Sequence, residues 1–545
     1  MKKKHPSVTL FLICFTILSF IGMKDQPSPN VSNDSNQNPN VPQAVSSLQQ
    51  NVNNVSTWFR TNGSFNRDPA TGNSGFEWPK GESKYARFAS GLWLGGIVSG
   101  DTLIAIAEYD YEYQPGYVDD SGNPLGRDDP NYRIYNFSDN DTSDYEAWRT
   151  IASLQGAYLN SSGNPYRMGS QTMFYSYTDG YPDSHGSNAG STAPLKAVIL
   201  QTNWSYINVN LKDVVFTEYR IINRSNQAWT NFYISLWTDD DLGNAIDDAV
   251  GIDTTVNMPL GYTYNFTNND LEYGAAPPAV GFTVLRGPVT ASIGDTVKYY
   301  SPPGSNNLVV LPNMKEIKLS SFNTYSNGDP SVGDPTNYKE TYRNLQGLRR
   351  DGTQWRDPIT NLLTYYPFSG DPVTSSGWNM TEEGDRRSLM TFGPVTIQPG
   401  DTQSVICAQL IARGSSNLNS ITALRNLTSY VHGIYQDNFQ SVVSVNNYSI
   451  QTPDKFTLHQ NFPNPFNPST KIRFDIPSNA AGQSSNVKLV VYNSLGNEVS
   501  VLLNEKLQSG SYETEFKGDN LSSGVYFYKL ETDGFIQTKR MVLLK

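Results

Sequence analysis

The residues best placed by type and spacing to do chemistry lie in WTDDDLGNAIDDAVGID, Trp237 to Asp253. Asp239, Asp240, Asp241, Asp247, Asp248 and Asp253 crowd what reads as a loop after a strand, and that many carboxylates repel one another unless water or a cation relieves them. Calcium accepts about six to eight oxygens in adaptable geometry, which the carboxylates and carbonyls of such a loop supply. The stretch is not an EF-hand. With Asp239 as the first ligand Asp241 fits the third position, but Gly243, Asn244 and Val250 fall where a ligand, the obligatory glycine and the bidentate glutamate belong. The expected cation site is Asp239, Asp241, Asp247, Asp248 and Asp253, with calcium as the ion, and a solvated acidic loop held by Asx turns is the alternative. His185 in YTDGYPDSHG, with Asp179 and Asp183 beside it, suits a mixed ligand site, or is simply a solvated loop histidine.

The usual catalytic signatures are missing. None of His5, His185, His432 and His459 is followed by the glutamate of a zinc helix, and there is neither a G-x-S-x-G elbow nor a phosphate-binding lysine loop. A carboxylate pair for glycosidic cleavage remains open, because folding can bring any two of the many acids together. Nine tryptophans, Trp58, Trp78, Trp93, Trp148, Trp204, Trp229, Trp237, Trp355 and Trp378, invite a carbohydrate reading through stacking on exposed indole. In a β protein most of them belong to the core. Two functions from different classes follow: a structural or adhesive protein with a calcium-stiffened loop, or a glycan-acting hydrolase or carbohydrate-binding protein.

The elements that must hold these residues are strands. Charged residues are only 17% of the chain while tyrosine, phenylalanine, glycine and proline abound, a blend that favours strands and turns. In DVVFTEYRII, Asp213 to Ile222, Val215, Thr217, Tyr219 and Ile221 alternate with Val214, Phe216, Glu218 and Arg220. NFYISLW, Asn231 to Trp237, reads as the returning strand of a hairpin. Gly-Asp-Thr recurs at Gly100, Gly294 and Gly400, each time as an expected corner between strands. One amphipathic helix is expected near 415–437, with Ile421, Leu424, Leu427, Val431 and Ile434 on its apolar face.

Length and charge set the limits. A chain of 545 residues exceeds one ordinary core, and its net charge of −11 repels a phosphate backbone, which excludes nucleic acid as a partner. Residues 1–23 have the basic head and short apolar run of a secretory signal peptide, and 24–50, rich in Asn, Ser and Pro, read as a disordered linker. The mature chain is expected to lack a transmembrane segment. Without the leader, Cys407 is the single cysteine and reads as a small buried hydrophobe.

The last ninety or so residues carry an ordered set of phrases. They open with Asn461, Phe462, Pro463, Asn464, Pro465, Phe466, Asn467 and Pro468, and continue through KIRFDIP, VYNSLGNEV with Gly496, SGSYETEF with Gly510, SSGVYFYKL with Gly524, and TKRMVLLK with Lys539. Pro463, Pro465 and Pro468 predict an extended, non-helical approach to the first strand. This segment resembles the type A sorting domain of the type IX secretion system. The resemblance implies export through the periplasm to the outer cell surface or beyond, handling by the type IX machinery, and removal of the tail by a sortase-like peptidase within SVNNYSIQTPDK. It also implies attachment of some passengers to surface lipopolysaccharide. The phrases SGFEWPKG, SGLWLGGIVSGDT and FGPVTIQPGDTQSVICAQLIARG in the body resemble large secreted proteins of unassigned activity that bear the same tail. The expected architecture is mostly β: one or two antiparallel β-sandwich body domains, divided as a β-sandwich at 51–285 and a β-rich domain with the helix at 286–446, and a C-terminal immunoglobulin-like β-sandwich sorting domain at 455–545.

Overall fold

The computed structural model describes residues 45–545 apart from 139–140, 255–257, 327–328, 330–331, 441, 443–445, 450–452, 454, 478–484, 508–509, 519–520 and 533. The expected leader, the expected linker as far as residue 44 and much of the expected cleavage stretch lie outside the described residues. The chain is mostly β. Its main body strands are β1 (Ala89–Val98), β2 (Gln171–Thr178), β3 (Ala197–Ser205), β4 (Val214–Asn223), β5 (Trp229–Asp240), β6 (Asp248–Asp253), β7 (Leu260–Asn265), β8 (Ala279–Arg286), β9 (Leu319–Ser326), β10 (Arg386–Ile397) and β11 (Thr402–Ala412).

One antiparallel sheet runs from short strands at Ser47–Gln50, Thr57–Arg60 and Ser64–Phe65 through β1, β5, β10 and β9. The strand at Ser47–Gln50 therefore lies inside the segment expected to be linker. The second sheet starts with Tyr135–Ser138 and continues β2, β3, β4, β11, β8, β7, β6. β10 sits between β5 and β9, and β11 between β4 and β8, so both sheets cross the division expected at 285/286. The two inner faces share apolar residues such as Phe65, Tyr219, Phe282, Phe322 and Ile411, all buried.

The expected strands at 214–222 and 231–237 form, but they are not a hairpin. β4 pairs with β3 and β11 in one sheet, while β5 pairs with β1 and β10 in the other. The connection is an arch, because Trp229 and Phe232, stacked 4.9 Å apart, bury their rings in the core instead of turning back along β4. The three Gly-Asp-Thr sites share only a left-handed glycine, at φ 98° for Gly100, 92° for Gly294 and 82° for Gly400. Gly100 closes a hairpin, Gly294 lies in a bulge, and Gly400 turns the chain from one sheet to the other.

Helix α1 (Tyr338–Leu345) was not among the expected elements, although Tyr338, Thr341, Tyr342 and Leu345 recur at helical spacing, whereas α2 (Asn417–Gln436) stands where its spacing placed it. The Ser416 side chain accepts from Asn419 N–H at α2's start, and Ile421, Leu424, Val431 and Ile434 are buried on the second sheet. His432 on this helix is also buried, 2.8 Å from Thr283, and desolvation lowers it to about 4. Cys407 is buried in β11.

The tail has its own strands, β12 (Ser469–Ile476), β13 (Ser485–Asn493), β14 (Glu498–Leu507), β15 (Gly510–Lys517), β16 (Gly524–Thr532) and β17 (Phe535–Leu543). They form two four-stranded antiparallel sheets, one completed by short strands at Asn446–Ser449 and Thr457–Leu458. Val487, Leu489 and Val491 point into a separate core, as their alternation requires; Val490 is buried as well, beside a register shift against β14. The proline-rich lead-in is non-helical but folds back instead of running extended. Phe462 bridges Lys471, and the buried Asn461 side chain donates to the Pro463 carbonyl at 3.1 Å and the Thr470 hydroxyl at 2.9 Å. Phe466 fills the core while Phe462 is 80% exposed.

Candidate metal centre

Two neighbouring strand ends assemble the acidic corner. One residue before the end of β5, Asp239 stands opposite Arg387 of β10, and the residue before β10 is Asp385. Strand alternation then sends Asp239 and Asp240 to opposite faces. Asp240 turns inward, accepts from Thr238 and Thr263 at 2.7 Å each, and lies 3.4 Å from the fully buried Arg87. Asp239 turns outward. Its Oδ2 accepts from the Tyr109 hydroxyl at 2.6 Å and lies 3.3 Å from Arg387, while its Oδ1 is buried without a hydrogen-bond partner. Asp241, half-buried just past the strand end, has no hydrogen bond or ion pair among the described residues. Asp385 contacts Arg387 at 2.5 Å. One carboxylate oxygen from each of Asp239, Asp241 and Asp385 lies within 4.8 Å of the others, a spacing that fits three ligands on one calcium-sized ion.

The electrostatics leave the corner short of positive charge. Burial raises Asp239 well above the usual carboxylate range, against the opposing pull of Arg387. Burial, then Asp385, pushes Asp241 up to about 7. Nearby Glu108 is pushed up to about 8 by burial and then by Asp334. Arg387 is the common counter-charge, 3.7 Å from Asp334 as well. A dication among the three oxygens would restore the charged forms that burial disfavours.

Of the five aspartates expected to share the site, the structure brings only Asp239 and Asp241 together. The chain leaves one sheet after Asp240 and enters the other at Asp248, so the expected loop is confined to 241–247. Asp247 accepts from Asn265 at 2.8 Å, buried Asp248 accepts from Leu242 N–H at 3.1 Å, and Asp253 pairs with Arg425 at 3.0 Å. Asp385 was invisible to local reading, since its partnership depends on β5 pairing with β10. The only signal was acidic text, TEEGD, just ahead of a strand.

The second expected cluster also rearranges. His185 lies between two buried carboxylates, with Nδ1 3.7 Å from Glu112 and Nε2 3.6 Å from Asp179, and Nε2 is 2.8 Å from the Asp179 carbonyl. Asp183 is at the surface with Arg127. Glu112 and Asp179 accept backbone N–H groups of Ser191, Leu195 and Ala197, so this trio pins loops together. Among the tryptophans, Trp58, Trp355 and Trp378 are half-buried and the others are core. Trp355 and Trp378 gather around Phe368, with centroids 6.2 and 4.9 Å away.

Residues 460–544 match the family model of the secretion system C-terminal sorting domain. The chain therefore carries a type IX sorting tail, which marks it as exported and either secreted or held at the cell surface. No helix among the described residues is long and apolar enough to cross a membrane. No curated protein matches the chain. A polysaccharide lyase of known structure aligns at 9% identity with a TM-score of 0.17, over 64% of this chain and 34% of that one. The chain spans about a third of that protein's length, and likeness at this level carries no argument.

Proposed function

We propose that the body is the passenger of the sorting tail and serves outside the cell as a structural or adhesive β protein stiffened by one calcium ion. The observation that carries this reading is the sorting tail at 460–544. Asp239, Asp241 and Asp385 would hold the ion, which would tie the end of β5 to the start of β10. The structural role is supported by how the body uses its other acids. Arg87 with Asp240, Arg286 with Glu218 and Arg425 with Asp253 are ion pairs that join separate segments. Type IX machinery and a sortase-like peptidase are the partners in export, and lipopolysaccharide is the anchor for a displayed product.

Deleting residues 455–545 tests the export half: the truncated protein stays in the periplasm, and normal amounts in the medium would refute it. Calcium titration of the full chain tests the other half. Calorimetric binding and a higher melting midpoint are expected, both lost in Asp241→Asn. An unchanged midpoint with no heat of binding defeats the calcium reading.

A further inference from the structure

Between β9 and β10 the chain raises a small hairpin that belongs to neither body sheet, with strands at Trp355–Arg356 and Leu363–Thr364. Its tip is apolar and stands in the open: Ile359, Leu362 and Leu363 are 64%, 67% and 54% exposed, and Tyr365 is exposed beside them. The tip is nevertheless well ordered by its bonds. Asp357 accepts the Ile359 N–H at 2.7 Å, and its own N–H reaches the Leu362 carbonyl at 2.9 Å. The base is fixed as firmly, because the Trp355 indole donates to buried Asn323 at 2.9 Å and packs with Phe368 and Trp378, while the Phe322 N–H donates to the Tyr365 carbonyl at 3.0 Å. A turn that holds clustered aliphatic side chains out in water, against their transfer free energy, marks a contact surface.

The charge around the hairpin says what it meets. In a chain of net charge −11, residues 338–365 carry five basic side chains, Lys339, Arg343, Arg349, Arg350 and Arg356, against three acidic ones, Glu340, Asp351 and Asp357. Glu340 is taken by Arg350 at 2.9 Å, and Asp351 and Asp357 accept N–H groups of their own turns. Arg343 and Arg356 donate to the Arg350 and Asn361 carbonyls and have no ion pair among the described residues. Arg356 stands directly opposite Leu363, so guanidinium and aliphatic side chain share one face of the ribbon. We propose that this hairpin docks the exported body on a membrane surface with anionic phosphate headgroups, the aliphatic tip entering the boundary between headgroups and acyl chains while the arginines meet the phosphates. Apolar insertion and basic attraction together give such binding its strength. A second copy of the chain fits less well, because a two-fold contact would set Arg356 and its neighbours against their own equivalents. The inference goes beyond the calcium reading and needs no ion.

The test is co-sedimentation of the chain freed of its expected leader, residues 24–545, with vesicles of equal parts phosphatidylglycerol and phosphatidylcholine, against vesicles of phosphatidylcholine alone, all in chelator. Retention on the anionic vesicles is expected to be roughly tenfold or more greater, and to fall as salt is raised. Leu362→Asp combined with Leu363→Asp should abolish it, and Arg356→Glu should weaken it severalfold. These side chains are exposed, so an unchanged melting midpoint shows that the variants still fold. Ile293→Asp, an equally exposed change on a different ribbon, should leave retention as it was. Absence of retention, equal retention on the neutral vesicles, or full retention by the tip variant overturns the inference. So does self-association that the tip variant removes in the absence of vesicle binding, which would make the hairpin a contact between copies. None of these outcomes touches the export or calcium readings, whose own tests stand apart.

Discussion

The body and the tail handle charge in opposite ways. Residues 460–544 contain eight basic and eight acidic side chains, so the whole net charge of −11 resides elsewhere. The body buries ion pairs: Arg87 and Asp240 are 0% and 3% exposed, and Arg286 and Glu218 are 5% and 1%. In the tail, Lys471 and Arg473, 61% and 45% exposed, close over Glu513 from outside an apolar core. Buried pairs make each partner indispensable, because removing one strands the other in a low dielectric. An apolar core with charge at its surface depends less on its surroundings. That suits a module which must fold behind any passenger.

Single substitutions sharpen this contrast. Asp240→Ala leaves Arg87 buried and unpaired, and should cost about 3–5 kcal/mol in the body's thermal transition while the tail's is unchanged. Phe466→Ala should do the reverse, costing about 3–5 kcal/mol in the tail alone through the cavity it opens. A shared shift would mean that the two cores melt together. Calcium at a hundredfold excess over its Kd should stabilise the body by about 2.7 kcal/mol, read by calorimetric scanning, with the tail unaffected.

A smaller effect is expected from pH. Burial raises Glu112 to about 7 and Glu108 to about 8, above their unfolded values. Raised carboxylates stabilise the fold fully below their unfolded pKa and lose that contribution as pH rises through the folded one. The body without added calcium should therefore weaken by on the order of 2 kcal/mol between pH 5 and pH 8, and Glu112→Gln should flatten part of that slope. The smallest change belongs to the tail surface. Lys471→Ala should cost under about 1 kcal/mol, because its ammonium is well exposed and Arg473 still pairs with Glu513.

What the sequence disclosed follows the range over which each feature is encoded. Alternation placed β4, a β-rich run placed β5, and helical spacing placed α2, because those signals are local. The tail was legible from its ordered phrases. Sheet membership was not: nothing near Asn223 says whether the next strand returns beside β4 or crosses to the other sheet. The metal centre suffered most from this. A run of aspartates looks like one site along the chain, but alternation turned Asp240 inward and the sheet crossing carried Asp248 and Asp253 away. The missing ligand, Asp385, came from a strand that only the register of β5 and β10 could supply.

The division of labour between tail and body is tested most directly by transplanting the tail. Residues 455–545 fused to an inert periplasmic reporter, in a host with a working type IX system, should carry the reporter across the outer membrane. A fusion that remains folded but confined to the periplasm would contradict the account.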